Sequence, residues 1–236
     1  VVTEVIIVLD KVSLIEIFAY DPEYLNIVLT SIKVSFSAVL IASVLSVPIG
    51  YLLSTTKFLG RSFLIIIINT LMALPPVVIG LVLYILFSNQ GLFSSMDILY
   101  SLPIMIIAQT ILITPILITL SRETIANTYS DYNEFMISLN LSYLIKMKTL
   151  IWETRYALIT NFLVGFGRAL SEVGAIIIVG GNIAHLTRTM TTGIVLETSQ
   201  GNLLMALKLG ATLLIISLII NIFLYYIKLF GEGKIN

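Results

Sequence analysis

Residues 130–155 read SDYNEFMISLNLSYLIKMKTLIWETR. This stretch is polar, charged and helix-prone, and it stands between two long apolar runs. Outward from it, no Asp, Glu, Lys or Arg occurs over 98–121, 62–96 or 209–227. Such runs suffice to cross a ~30 Å hydrocarbon core as about 20 helical residues. The 236-residue chain is 58% hydrophobic and 11% charged, with a mean hydropathy of +1.06. Soluble domains carry about 25% charged residues, so the composition is that of an integral membrane protein. Lipid offers no hydrogen bonds to a backbone, which leaves helices or a closed barrel. The runs lack the apolar/polar alternation of barrel strands, so helices are chosen.

The expected fold is therefore all-α, with about five spans near 27–55, 62–88, 98–121, 156–179 and 203–227. Residues 1–20 are apolar but interrupted by Asp10, Lys11 and Glu16, which suits an interfacial helix. Asp21-Pro22 supplies a turn before the first full span. No signal-peptide pattern is expected in this segment, and no fixed-period repeat is visible. The chain is expected to be one membrane domain over 1–236, with the insert as a loop at about 122–155.

Lys57, Arg61, Arg122, Lys146, Lys148, Arg155, Lys228 and Lys234 fall on one side of a five-span layout. Lys11, Lys33, Arg188 and Lys208 fall on the other, and the 89–97 loop has no cation. The positive-inside rule places the insert and the C-terminus in the cytoplasm and the N-terminus outside. A formal net charge of zero indicates no nucleic-acid surface, and the lack of cysteine excludes disulfides and thiolate metal sites. No GxxxxGK[ST], HExxH or GxSxG pattern occurs, so no ATP-binding loop, catalytic site or metal site is expected in this chain.

Within the insert, Asp131 can cap a helix, with Glu134 three residues on. Asn140 tolerates a left-handed bend, and a second helix is expected from about Ser142. That helix carries Leu144, Ile145, Met147, Lys148 and Ile151, either lying on the inner leaflet or docking in a groove of a soluble partner. Arg168 and Glu172 are the only charges inside the fourth span, four residues apart, and can neutralise one another. They form either a structural pair or an anion path lined by Arg168 and held by Glu172. Gly165, Gly167, Ala169, Ser171 and Gly174 around them suit close helix contact. Gly180, Gly181 and Asn182, then Thr187, Arg188, Thr189, Thr191 and Thr192, are a plausible anion-facing set, with His185 a surface residue. Pro75, Pro76 and Pro115 are expected to kink or break spans, with Gly80 relaxing packing nearby. The outcome is either simple bending or a gate.

The insert resembles the coupling loop of ABC importer permeases, whose pattern is Glu-Ala-Ala, three residues, Gly, then an apolar helix. Glu134 matches the Glu, Leu139 the usual Leu, Asn140 the Gly and Ser142 the small residue after it. Phe135 and Met136 replace the two alanines. GRALSEVGA (167–175), GGNI (180–183), TRTMTT (187–192) and LET (196–198) resemble the permeases of tungstate importers more specifically. Molybdate and sulfate permeases are similar but typically carry Gly where Ser171 stands. NTLMALPPVVIGLVLY (69–84) and AQTILITPI (108–116) extend the resemblance over nearly the whole chain. It implies a homodimeric permease in a prokaryotic cytoplasmic membrane, surrounded by lipid. Two cytoplasmic ATPase subunits would use ATP and Mg, and an extracytoplasmic protein would deliver the oxyanion. It also implies ATPase coupling through Glu134, Phe135, Met136, Leu139, Asn140 and Ser142. The path or gate would run past Pro75, Pro76, Gly80, Arg168, Ser171, Glu172, Gly174, Asn182, Thr187 and Arg188. The alternatives are a molybdate or sulfate ABC permease and a gradient-driven anion carrier. A carrier has no need of a coupling helix, and the missing internal repeat also fits it poorly.

Overall fold

The apolar runs form helices in the computed structural model, which describes residues 22–231. The interfacial helix expected at 1–20 lies outside the described residues. In chain order the helices are α1 (Pro22–Thr55), α2 (Arg61–Met72), α3 (Pro76–Phe87), α4 (Leu102–Ser138), α5 (Tyr143–Glu153), α6 (Arg155–Leu170), α7 (Gly174–Gly180), α8 (Met190–Ser199) and α9 (Leu203–Gly231). A short 3₁₀ turn, Ser94–Met96, precedes α4. Helices α1, α4 and α9 are each long and apolar enough to cross a membrane, and two bent pairs raise the number of candidate spans to five.

The break expected at Pro75 and Pro76 divides the 62–88 span, and the 156–179 span is divided as well, where no break was expected. Helices α2 and α3 meet at 94°, and α6 and α7 at 61°. The first bend has a direct cause. Pro75 is extended at φ −62°, ψ 127°, and Pro76 opens α3, where a missing N–H costs nothing. Pro115, by contrast, sits inside an unbroken α4. The Thr119 hydroxyl donates to the Pro115 carbonyl at 3.1 Å and the Ser46 hydroxyl of α1 to the Thr114 carbonyl at 3.1 Å.

Helices α1 and α4 form the most extensive pairing. They run parallel, as the register of contacts shows: Ser35 meets Gln109, Ala38 meets Thr110, and Gly50 meets Ser121. A Cβ on Gly50 would lie 2.9 Å from the Ser121 Cβ and 3.0 Å from the Arg122 nitrogen, so only glycine permits this crossing. Val39, Ala42, Ile113, Leu117 and Ala169 pack between α1, α4 and α6. Helix α9 closes the other side of α1 through Tyr24, Ile27, Leu170, Met190, Leu209 and Ile220. The short halves α3 and α7 cross in backbone contact, since a Cβ on Gly80 would stand 2.9 Å from the Ala175 Cα. Their crossing is buried with Val34, Leu83, Ile104, Met105, Ala108, Ile176 and Val179.

Candidate functional site

The insert is built as an extension of the bundle. Helix α4 is 37 residues long, or about 55 Å, which exceeds a ~30 Å hydrocarbon core by about 25 Å. It runs through Asp131, so the helix start expected there is absent. No Pro or Gly interrupts 116–138, and Ile125 and Met136 are buried against Tyr51 of α1 and Leu150 of α5, which ties the extension to its neighbours. The first arm of the loop and the span are thus one rigid element.

The bend falls where the sequence places it. Asn140 has φ 47°. The Leu141 N–H donates to the Met136 carbonyl at 3.3 Å and the Asn140 N–H to the Ile137 carbonyl at 2.9 Å. This is a Schellman stop with Asn in the left-handed position. Ser142 is extended before α5 and its side chain makes no cap bond. Asn140→Gly is expected to be neutral or slightly stabilising, whereas Asn140→Val should cost about 1–2 kcal/mol, read as thermal unfolding of the purified protein. Equal unfolding of the two variants would remove the bend from the account.

Glu134, Phe135, Leu139, Tyr143, Leu144, Ile145 and Trp152 are exposed around this bend, with Phe135 at 61% and Leu144 at 70%. Met136 departs from the sequence expectation of a docking residue. It is 1% exposed and fills the joint between α1, α4 and α5. Below it, the Tyr51 ring meets the Tyr143 ring edge-on at 5.4 Å, which fastens α5 to the end of α1.

The second cluster surrounds the α6–α7 break. The Arg168 Nη1 lies 3.2 Å from Glu172 Oε2, so the pair forms even though α6 has ended at Leu170. Glu172 is buried and Arg168 half-exposed. Glu172 Oε1 also accepts the Ala175 N–H at 3.4 Å, and the Thr191 hydroxyl donates to the Glu172 carbonyl at 2.8 Å. Gln109, which sequence reasoning left without a role, donates from Nε2 to the Ala169 carbonyl at 2.9 Å, and its Oε1 is buried without a partner. Its only sequence signal was to be an amide in an uncharged run. Leu74 and Pro76 of the α2–α3 elbow, with Gln109, Arg168 and Glu172, line a cavity of about 20 Å³, room for one water. Both broken spans therefore converge on this ion pair. Ser171 is exposed there, its hydroxyl donating to the Arg168 carbonyl at 2.9 Å. A Cβ on Gly174 would fall 2.8 Å from the Val77 Cγ2.

The turn after α7 departs from the expected anion-facing set. Thr187, Thr189, Thr191 and Thr192 are all buried. The Thr187 hydroxyl accepts the Ile183 N–H at 2.9 Å and donates to the Gly180 carbonyl at 2.6 Å. Thr189 and Thr192 cap α8 reciprocally, a helix the sequence reading missed. Its signal was this Thr-x-x-Thr spacing, with Thr in place of the usual Glu or Gln of a capping box. Asn182 stands at φ 50° and donates to the Thr192 carbonyl at 3.3 Å. Arg188 pairs with Glu23 of α1 at 2.9 Å. In this conformation these residues tie α7, α8 and α1 together, and each of the four threonine hydroxyls is hydrogen-bonded. His185 is exposed, as expected.

No protein-family model matches the chain. The tungstate uptake system permease protein TupB of Peptoclostridium acidaminophilum is 35% identical over 210 residues, covering 89% of this chain and 92% of that protein. The chain belongs to the ABC anion-permease family. TupB of Campylobacter jejuni is 33% identical over 218 residues, 92% of this chain and 91% of that protein. A probable anion ABC transporter permease of Haloferax volcanii is 34% identical over 201 residues, 83% and 87% of the two chains. The sulfate permease CysW of Escherichia coli is more distant, at 24% over 211 residues. The resemblance read from the 167–175 and 180–198 segments is borne out at the level of family. The candidate spans of α1, α4, α9 and the two bent pairs agree with a multi-pass membrane permease subunit.

Proposed function

We propose that this permease forms the membrane path of an ATP-driven importer for a tetrahedral oxyanion, tungstate in first place. Two copies would pair with two cytoplasmic ATPase subunits, which bind ATP and Mg, and an extracytoplasmic protein would deliver the anion. The insert side and C-terminus are cytoplasmic in this reading, the N-terminus is outside, and the membrane is that of a prokaryotic cell. The observation that carries it is the apolar surface of Phe135, Leu139, Leu144 and Ile145 at the tip of a rod continuous with α4. A helix of that kind suits a groove in a soluble partner. Closure of the ATPase pair would draw the two tips together, and α4 would pass the motion to the Arg168–Glu172 region without a joint between.

Transport is then a two-state equilibrium biased by nucleotide on one face and loaded binding protein on the other. Specificity resides mostly in the binding protein, because tungstate and molybdate are nearly isosteric dianions. The test is ATP hydrolysis and uptake in liposomes holding the permease, its ATPase and its binding protein, with tungstate, molybdate and sulfate compared. Stimulation at low tungstate, weaker with molybdate and absent with sulfate, is expected. Stimulation by none of them, in a complex that hydrolyses ATP, would overturn the substrate. Anion movement by the permease alone at carrier rates would overturn the importer.

A further inference from the structure

At the end of α1 away from the coupling bend stands a cation that forms no ion pair among the described residues. Lys33 lies eleven residues into α1, roughly 17 Å of helix rise from Pro22. Its ammonium makes no ion pair or hydrogen bond among the described residues. An ionisable side chain on a membrane helix is costly and is kept where it serves a path or a ligand. Asn26, Thr30 and Lys33 follow an i, i+4, i+7 spacing and so share one face of α1. That face lines an open cavity of about 450 Å³, flanked by Tyr100, Ser101 and Leu102 before α4 and by His185, Leu186 and Thr187 after α7.

Three properties set this cavity apart. Among the described residues no Asp or Glu lines it. Tyr100 and His185 both hold left-handed backbones, at φ 58° and 63°. Neither is Gly or Asn, and strain of this kind gathers at ligand sites. Finally, its donors divide cleanly. Thr187 and Ser101 spend their hydroxyls on backbone carbonyls, and the Tyr100 ring packs beside Tyr84 with centroids 6.4 Å apart. The side chains of Asn26, Thr30, Lys33 and His185 have no hydrogen-bond partner among the described residues. One ammonium with an amide, a hydroxyl and an imidazole, and no carboxylate, is a set of groups for an anion with several acceptor oxygens.

We propose that this cavity binds a tetrahedral oxyanion through Lys33. Its place at the outer mouth makes the imported anion the first claimant, an assignment that rests on the import reading above. A phosphate of the outer lipid leaflet has the same chemistry. The volume exceeds a bare tetrahedral anion, so the ion would enter with part of its water.

The experiment uses the permease–ATPase complex in lipid nanodiscs, with the wild type, Lys33→Gln and Lys33→Arg compared. Retention of labelled tungstate is measured in discs of neutral lipid and in discs containing phosphatidylglycerol. The expected result is tungstate binding in neutral discs that weakens about tenfold or more in Lys33→Gln and is largely kept in Lys33→Arg. Lys33-dependent enrichment of phosphatidylglycerol, without tungstate binding, would support the oxyanion site and assign it to lipid phosphate. Equal retention of both ligands by Lys33→Gln and wild type, or retention of neither by the wild type, would overturn it. Uptake separates the two proposals. Wild type that binds tungstate through Lys33 yet imports none removes the import reading alone. Unimpaired import and binding in Lys33→Gln removes the site alone.

Discussion

The double variant Phe135→Ala/Leu139→Ala should lose more than about tenfold in oxyanion uptake while remaining folded in the membrane. Both side chains are largely exposed, at 61% and 54%, so their removal takes little from the fold. Burying such a side chain in a partner's groove contributes about 1.5–3 kcal/mol. Each factor of ten corresponds to about 1.4 kcal/mol, so even half that burial at two positions suffices. The comparison that gives the experiment meaning is Met136→Ala. Met136 fills the joint with Tyr51, Ile125 and Leu150, and its truncation should cost about 2–5 kcal/mol of stability through the cavity left behind. The two variants therefore separate docking from folding. Uptake and stimulated ATP hydrolysis are measured beside thermal unfolding. Full coupling in the double alanine variant would mean that the ATPase docks elsewhere.

Glu172→Ala should be the most damaging single change near the α6–α7 break. It removes the partner of Arg168 and the acceptor of the Ala175 N–H. An unpaired Arg at the centre of a membrane costs about 2.5–3.5 kcal/mol on the insertion scale. Arg168 keeps 47% of its side chain exposed, so the expected loss is smaller, about 1–3 kcal/mol, with uptake nearly abolished. The double variant Arg168→Ala/Glu172→Ala removes the stranded charge and should recover part of the stability. Its transport then decides the role of the pair. Recovered uptake assigns a structural role, and abolished uptake in a stable protein assigns the guanidinium to the path. If Glu172→Ala is as stable and active as wild type, the pair has neither role.

Much of the coupling end was legible because its signals are local. Asn140 carries the left-handed turn by its own tolerance of positive φ, and Ser142 starts the next helix one residue before α5. The Asp131–Glu134 spacing misled, since a capping signal yields to continued helix when Ile125 and Met136 gain buried partners from α1 and α5. The threonines at 187–192 misled for a related reason. Hydroxyls at a membrane face read as ligands until the backbone groups that consume them are known.

By itself, the sequence determined the membrane environment, the helical class, the positions of the apolar runs and the bend at Asn140. Each follows from composition or from a residue's own backbone preference over one or two turns. Only the tertiary structure decided that the fourth span is broken at 61°, that α4 is one continuous helix, and that Gln109 clamps the Ala169 carbonyl. It also decided that Arg188 answers to Glu23. The last two outcomes depend on polar groups 60 and 165 positions apart in the chain finding one another. In a medium without water every such group must be partnered from within, and no local pattern records which distant residue will supply the partner.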